Sequence, residues 1–256
     1  MVAFKGALID LGGVVYVGTT PLAGAVEAIA RLHKAKLPVR FLTNTTRTPF
    51  KTLQGQLKRM GLAVAAEELL TPALAARRII EAEGLQPHFL VHPALHADFK
   101  GLAPGKQEAV VIGDAGEKFT YPALNAAFRA LNRGATFLAL ANNRSFRDAD
   151  GQLSLDAGPF VAALSFASGR EPRVLGKPSP DFFEAGLKAL GCRAEEAVMI
   201  GDDVEGDVAG AMAAGISGVL VRTGKYEAGA EASITPPPTF LAEDLAAAVD
   251  WTLSRT

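Results

Sequence analysis

A chain of 256 residues, 49% hydrophobic and 21% charged, can bury a sizeable core as one large domain or two smaller ones. Its 26 basic and 27 acidic side chains leave a net charge of −1, so the broad positive surface that nucleic acid or an anionic membrane requires is missing. Cys192 is the only cysteine, which rules out an internal disulfide and a cysteine-built zinc site and fits a reducing compartment. The apolar segments are too short to cross a bilayer, and no signal-peptide pattern opens the sequence; the expectation is a soluble, cytoplasmic protein.

In chain order, the first element is the short apolar run Ala7–Ile9, which stops at Asp10 and is followed by Gly12 and Gly13. Its brevity and the flanking glycines predict a buried strand with Asp10 at its C-terminal end. A helix over residues 23–34, the strand LPVRFLTN and a helix over 49–60 follow. This alternation predicts right-handed βαβ units and a parallel sheet. A further helix, TPALAARRIIEAEG, has Thr71 as its N-cap, Pro72 at its first position and Gly84 just past its end.

The stretch LQPHFLVHP reads as a boundary. Beyond it come strands HFLVH and EAVVIGDA, helix YPALNAAFRALNRG, strand ATFLALAN, a polar loop and helix GPFVAALSFASG. From Val174 the first rhythm resumes: VLGKPSPDFFEAGLKALG, strand AVMIGDD, a helix through VAGAMAAG, strand SGVLVRTG and a closing helix near LAEDLAAAVDWTL. The prediction is an α/β protein with a doubly wound, parallel-sheet (Rossmann-like) core over residues 1–85 and 173–256, interrupted by an inserted α/β domain over 86–172.

Four stretches fall where the rim of the core sheet is expected: Asp10 with Gly12, TNTT from Thr43, GKP around Lys177, and GDDVEGD from Gly201 to Asp207. Each alone has a plain structural reading, as a turn, a helix cap, a solvated cation or a helix N-terminal acid cluster. Together they set several carboxylates, a hydroxyl, an amide and a cation at the ends of buried strands. So much buried charge requires a metal or an anion to compensate it.

In order and content these stretches resemble the haloacid dehalogenase superfamily of phosphohydrolases, over nearly the whole chain. The resemblance implies that Asp10 is the nucleophile and that Thr43, with Asn44, contacts the phosphoryl group. It further implies that Lys177 steadies nucleophile and substrate, and that Mg2+ is held by Asp10, the Gly12 carbonyl and Asp202, with Asp203 and Asp207 behind them. The inserted domain is similar to the α/β cap of the superfamily's second class (class IIA). Capped relatives often pair through their caps, and the sequence leaves the oligomeric state open between a monomer and a homodimer of that kind. The implied substrate is a small phosphorylated compound.

Phosphoryl transfer needs an in-line nucleophile, a divalent cation and donors aimed at the phosphoryl oxygens, and these residue types supply the nucleophile, oxygen ligands for the cation and the donors. Most phosphatases of this superfamily carry a second aspartate two residues after the nucleophile, where it protonates the leaving oxygen. This chain has Gly12. General acid–base catalysis contributes about 10²–10⁴ in rate, so the gap biases the enzyme toward leaving groups that need little protonation: pyrophosphate, phosphoramidates and aryl phosphates. Within the enzyme class the alternative is a broad nucleotide or aryl phosphate phosphatase. From a different class, it is a metal-binding scaffold that has lost turnover.

Other features carry plainer readings. His92 and His96 are separated by Pro93 and lack a third ligand, so they read as loop histidines. Asp114, in a second IGD string, reads as a loop or cap residue, and Phe182 with Phe183 as core. Arg144, Arg147, Asp148 and Asp150 lie in the polar loop, where substrate contact and simple solvation of a turn are equally open.

Overall fold

A computed structural model describes residues 3–147 and 152–256. The chain divides into two compact units, one made of Met1–Thr43, Leu53–Leu70 and Lys177–Thr256, the other of Asn44–Thr52 and Thr71–Gly176. The divides fall at 43/44, 52/53, 70/71 and 176/177, and the sequence suggested 85/86 and 172/173. Helix Pro72–Glu83 accounts for most of the difference. Its Ala73, Ala76 and Ile80 pack with Leu85, Leu95, Val111 and Leu138 in the second unit's core.

The first unit is built on a six-stranded, all-parallel sheet in the order Phe240–Ala242, Ser217–Val221, Ala197–Gly201, Gly6–Asp10, Val39–Leu42, Leu69–Leu70. Every residue of Gly6–Asp10 and of Ala197–Gly201 is buried, as expected of strands covered on both faces. Side chains alternate between the faces. Leu8, Leu42 and Met199 pack against Phe182, Phe183 and Leu190, all three from the buried face of helix Pro180–Leu190. The Phe182–Phe183 pair is therefore core.

From Gly6–Asp10 the chain winds outward through Val39–Leu42 to Leu69–Leu70. It re-enters at Ala197–Gly201 and winds the other way. The strand order reverses between Gly6–Asp10 and Ala197–Gly201, paired Ile9 to Ile200, and the C-terminal crevice at such a reversal is where open α/β sheets bind ligands.

The second unit has its own parallel sheet, in the order Arg173–Val174, Thr136–Ala139, Gln107–Ile112, Leu85–Leu90. Helices Tyr121–Asn132 and Ala157–Ser168 help fill a core around Val110, Ile112, Leu131 and Val161. The expected caps of helix Pro72–Glu83 are present: Thr71 Oγ1 accepts a hydrogen bond from Leu74 N at 3.2 Å, and Gly84 closes the helix at φ 60°.

Two expectations change in detail. The polar loop contains an antiparallel strand pair, Ser145–Arg147 with Leu153–Leu155, each of three residues and too short to show a period. The helix expected through VAGAMAAG is a π-helical turn, Val204–Ala209, running into a short helix Gly210–Ala213. Asp148 and Asp150 lie outside the described residues, as does the Arg147 side chain. Among the described residues, no helix is long and apolar enough to cross a membrane.

Candidate active site

The strand ends of the first unit determine what meets there. Asp10 ends its strand in register with Leu42, so Thr43, the next residue, starts at the same rim, its N–H donating to the Leu70 carbonyl at 3.2 Å. Gly201 ends the adjoining strand and hands the chain to Asp202. Asp10, Thr43, Lys177, Asp202 and Asp207 are all buried.

The Lys177 ammonium pairs with Asp10 Oδ1 and lies 2.5 Å from Asp207 Oδ1. Carboxylate oxygens of Asp10, Asp202 and Asp207 lie within 4.8 Å of one another. Asp207 comes this close because Gly201 has no side chain; a Cβ there would run into Asp207.

Three buried carboxylates face one buried ammonium, and the titration of Asp10 and Asp202 reflects the imbalance. Burial is the largest influence on Asp10 and, with Asp207 and Asp202 nearby, pushes its pKa up to about 7 against the opposing pull of Lys177. Burial likewise lifts Asp202 to about 6, opposed by the Lys225 N–H and reinforced by Asp207. For Lys177 burial works against the charged form, but Asp10 and Asp207 outweigh it and raise the pKa above the ordinary lysine value. A hard divalent cation fits this donor set, because clustered carboxylate oxygens in excess of nearby positive charge are what such ions bind.

Asp203 is engaged differently. Its Oδ1 accepts from Gly206 N at 2.8 Å and Glu205 N at 3.2 Å, capping the π-helical turn, and Oδ2 pairs with Lys225 Nζ at 3.0 Å. Burial would raise its pKa, but the Gly206 hydrogen bond and the Lys225 charge prevail and lower it. Gly12 is exposed, and a Cβ built on it meets nothing within 4 Å, so the missing side chain leaves open space two residues beyond Asp10. Asn44 belongs to the second unit, where its side-chain oxygen lies against Gly176.

The structure adds residues that patterns of side chains did not disclose. Lys225 N donates to Asp202 Oδ2 at 2.6 Å, and Thr223 Oγ1 donates to the Gly13 carbonyl at 2.6 Å. Gly13 (φ 83°) and Gly224 (φ 58°) lie against each other and against Asp202, and a Cβ on either would fall on its carboxylate. The only sequence signal was the glycine within RTGKY after an apolar strand.

The remaining candidates keep structural roles. His92 caps its own turn, Nδ1 accepting from Ala94 N at 3.3 Å, and the exposed His96 packs edge-on against Phe89. Asp114 is buried in a loop and paired with Arg47. Among the described residues, Asp10, Asp202 and Asp207 form the one acidic group close enough to share an ion.

The chain resembles known proteins over nearly its whole length. A haloacid dehalogenase-like hydrolase family model matches residues 7–118, and a HAD-hydrolase-like model matches residues 174–248. The chain is 40% identical to human phospholysine phosphohistidine inorganic pyrophosphate phosphatase (98% of this chain, 95% of the relative). To human haloacid dehalogenase-like hydrolase domain-containing protein 2 it is 41% identical (99% and 97%).

Among solved structures, a p-nitrophenyl phosphatase from Archaeoglobus fulgidus superposes with a TM-score of 0.87 at 26% identity, covering 97% of this chain and 99% of the other. A glycerol phosphate phosphatase from Mycobacterium tuberculosis in complex with magnesium superposes with a TM-score of 0.80 at 28% identity, covering 96% and 76%. The fold and these relatives define a phosphatase. The chain belongs to the haloacid dehalogenase-like hydrolase family.

Proposed function

We propose that this phosphatase is magnesium-dependent and works through an aspartyl phosphate on Asp10, acting on small phosphorylated compounds with good leaving groups. The observation that carries the reading is the convergence of Asp10, Lys177, Asp202 and Asp207 in one buried cluster at the reversal of strand order. Asp10, the Gly12 carbonyl and Asp202 are assigned to hold Mg2+, with Asp203 and Asp207 supporting them. When bound, the ion supplies charge stabilisation to the phosphoryl oxygens.

The chain's own residues do the rest. Asp10 attacks phosphorus in line; the Asp10 O–P bond forms as the bond to the leaving group breaks, and that group departs with the electron pair. Lys177, held between Asp10 and Asp207, offsets the repulsion between an anionic nucleophile and an anionic substrate. Thr43 and Asn44 donate to the phosphoryl oxygens. Water then cleaves the aspartyl phosphate.

With Gly12 in place of a carboxylate, an alkoxide leaving group would go unprotonated, whereas phosphate, a phenolate or the amine of a protonated phosphoramidate leaves without that help. A relative named for inorganic pyrophosphate and phosphoamino acids and a structural neighbour named for p-nitrophenyl phosphate support this bias. The neighbour also supports a broad aryl phosphatase as the second reading. The second unit is assigned the part of the inserted cap.

The test is turnover with Mg2+ on pyrophosphate, phosphoimidazole, an aryl phosphate and an alkyl phosphate. Expected is clear hydrolysis of the first three and little of the last. Equal rates on all four would overturn the leaving-group bias, and no turnover on any would favour a scaffold.

A further inference from the structure

In the first unit, strands Gly6–Asp10 and Ser217–Val221 are not neighbours; Ala197–Gly201 lies between them and sets them about 10 Å apart, two strand spacings. The segments that follow them meet nonetheless. Thr223 Oγ1 donates to the Gly13 carbonyl at 2.6 Å, and the two backbones touch, since a Cβ built on Gly224 would lie 2.5 Å from the Gly13 Cα. Asp202, which follows the middle strand, is held by the same segment, its Oδ2 accepting from Lys225 N at 2.6 Å. Thr223–Lys225 therefore ties the turn after Asp10 to the residue after Gly201.

Hydrogen bonds also fix the peptide that carries the Gly12 carbonyl. Gly13 N donates to the Tyr16 carbonyl at 2.8 Å and Tyr16 N to the Leu11 carbonyl at 3.2 Å, a bridge that takes up groups on either side of the Gly12 carbonyl and leaves that oxygen outside it. In a planar trans peptide the C=O and the N–H point in opposite directions, so the Gly12 carbonyl is turned away from the Tyr16 carbonyl. The bridge holds the peptide before Gly13, and the Thr223 hydroxyl holds the peptide after it. With both held, Gly13 keeps φ 83°, one of the many conformations open to a glycine. Of these ties, the Thr223 bond is the one made by a side-chain donor.

We propose that Thr223 is a positioning residue for the metal: by holding the Gly13 carbonyl, its hydroxyl keeps the Gly12 carbonyl and the Asp202 carboxylate in a fixed relation, so that both can serve one magnesium ion. The inference rests on the assignment of Asp10, the Gly12 carbonyl and Asp202 to that ion. Without the hydroxyl, a turn with glycine at both 12 and 13 has more conformations to lose when the ion binds, and that entropy opposes binding. Groups that orient metal ligands in this way contribute about 10–100-fold in affinity.

The experiment titrates Mg2+ by calorimetry into the unaltered protein, Thr223→Val, Thr223→Ser and Asp202→Asn, with a melting curve in EDTA to show that each is folded. Expected is an affinity lower by about ten-fold in Thr223→Val, which keeps the shape and loses the donor, and within about two-fold of the unaltered protein in Thr223→Ser, which keeps the donor. The Mg2+ concentration that half-saturates turnover of an aryl phosphate should shift by the same factors. Should Thr223→Val not fold, Thr223→Ala, which also lacks the hydroxyl, takes its place. An unaltered affinity in Thr223→Val, or an equal loss in Thr223→Val and Thr223→Ser, would overturn the proposal. Asp202→Asn separates the two claims: if it abolishes Mg2+ binding while Thr223→Val changes nothing, the Thr223 role alone fails. Unaltered Mg2+ affinity in Asp202→Asn would remove the metal assignment and this proposal with it.

Discussion

The tripeptide Ile-Gly-Asp occurs twice, and its two aspartates have opposite circumstances. Asp202 follows strand Ala197–Gly201 in the first unit, and Asp114 follows strand Gln107–Ile112 in the second. Both strands are parallel, and both aspartates are buried. Asp114 meets its needs locally: Arg47 pairs with one oxygen, Gly116 N donates to the other at 3.0 Å, and its own N–H donates to Thr46 Oγ1 at 3.4 Å. Asp202 is held by the Lys225 N–H among Asp10 and Asp207, with more negative than positive charge around it. A carboxylate at a strand end becomes a site only where other strand ends add charge that the protein leaves uncompensated.

The predictions test that contrast. If Asp10 is the nucleophile, as proposed, Asp10→Asn should lower kcat by more than about 10³-fold, and activity assays check it. Asp114→Asn should change kcat by less than about three-fold, because its partners are structural. A comparable loss in both variants would erase the distinction.

Next in size is Gly224→Ala. Its Cβ would fall on the Asp202 carboxylate at a backbone conformation that already favours glycine. Magnesium affinity, measured by calorimetry, should drop by about ten-fold or more, as when a group that orients a metal ligand is lost. Gly12→Ala, into open space, should leave that affinity unchanged.

The smallest expected effect is one of pH. Asp10, with a pKa of about 7, binds its proton more tightly in the folded chain than in the unfolded one. Its contribution to stability is complete below the ordinary carboxylate range, near pH 4, and is lost as pH rises through about 7. Asp202 follows the same sign through about 6. In EDTA, the melting temperature of the unaltered protein relative to Asp10→Asn should therefore fall by a few degrees between pH 5 and pH 8. Magnesium should recover more of it at pH 8 than at pH 5, because the ion binds the ionised carboxylates.

Much of this was legible in the sequence, for identifiable reasons. Asp10 and Asp202 were visible because each ends a short apolar run, and Thr71 and Gly84 because caps have strong residue preferences. The Gly13–Thr223–Gly224–Lys225 cradle was not. It acts mainly through backbone N–H and C=O groups and through absent side chains, which residue identity does not encode. Strand Leu69–Leu70 is too short to show a period. The allegiance of helix Pro72–Glu83 was hidden because an amphipathic pattern tells which face is buried and not against which core.

The most direct test is to quench the enzyme in acid during turnover of pyrophosphate or an aryl phosphate and locate the phosphoryl group by peptide mass spectrometry. With Gly12 leaving no carboxylate to activate water, the covalent form should accumulate, and the account predicts one phosphoryl group on Asp10 and none on Asp114. Steady turnover with Asp10 unmodified, or with the label on another residue, would contradict it.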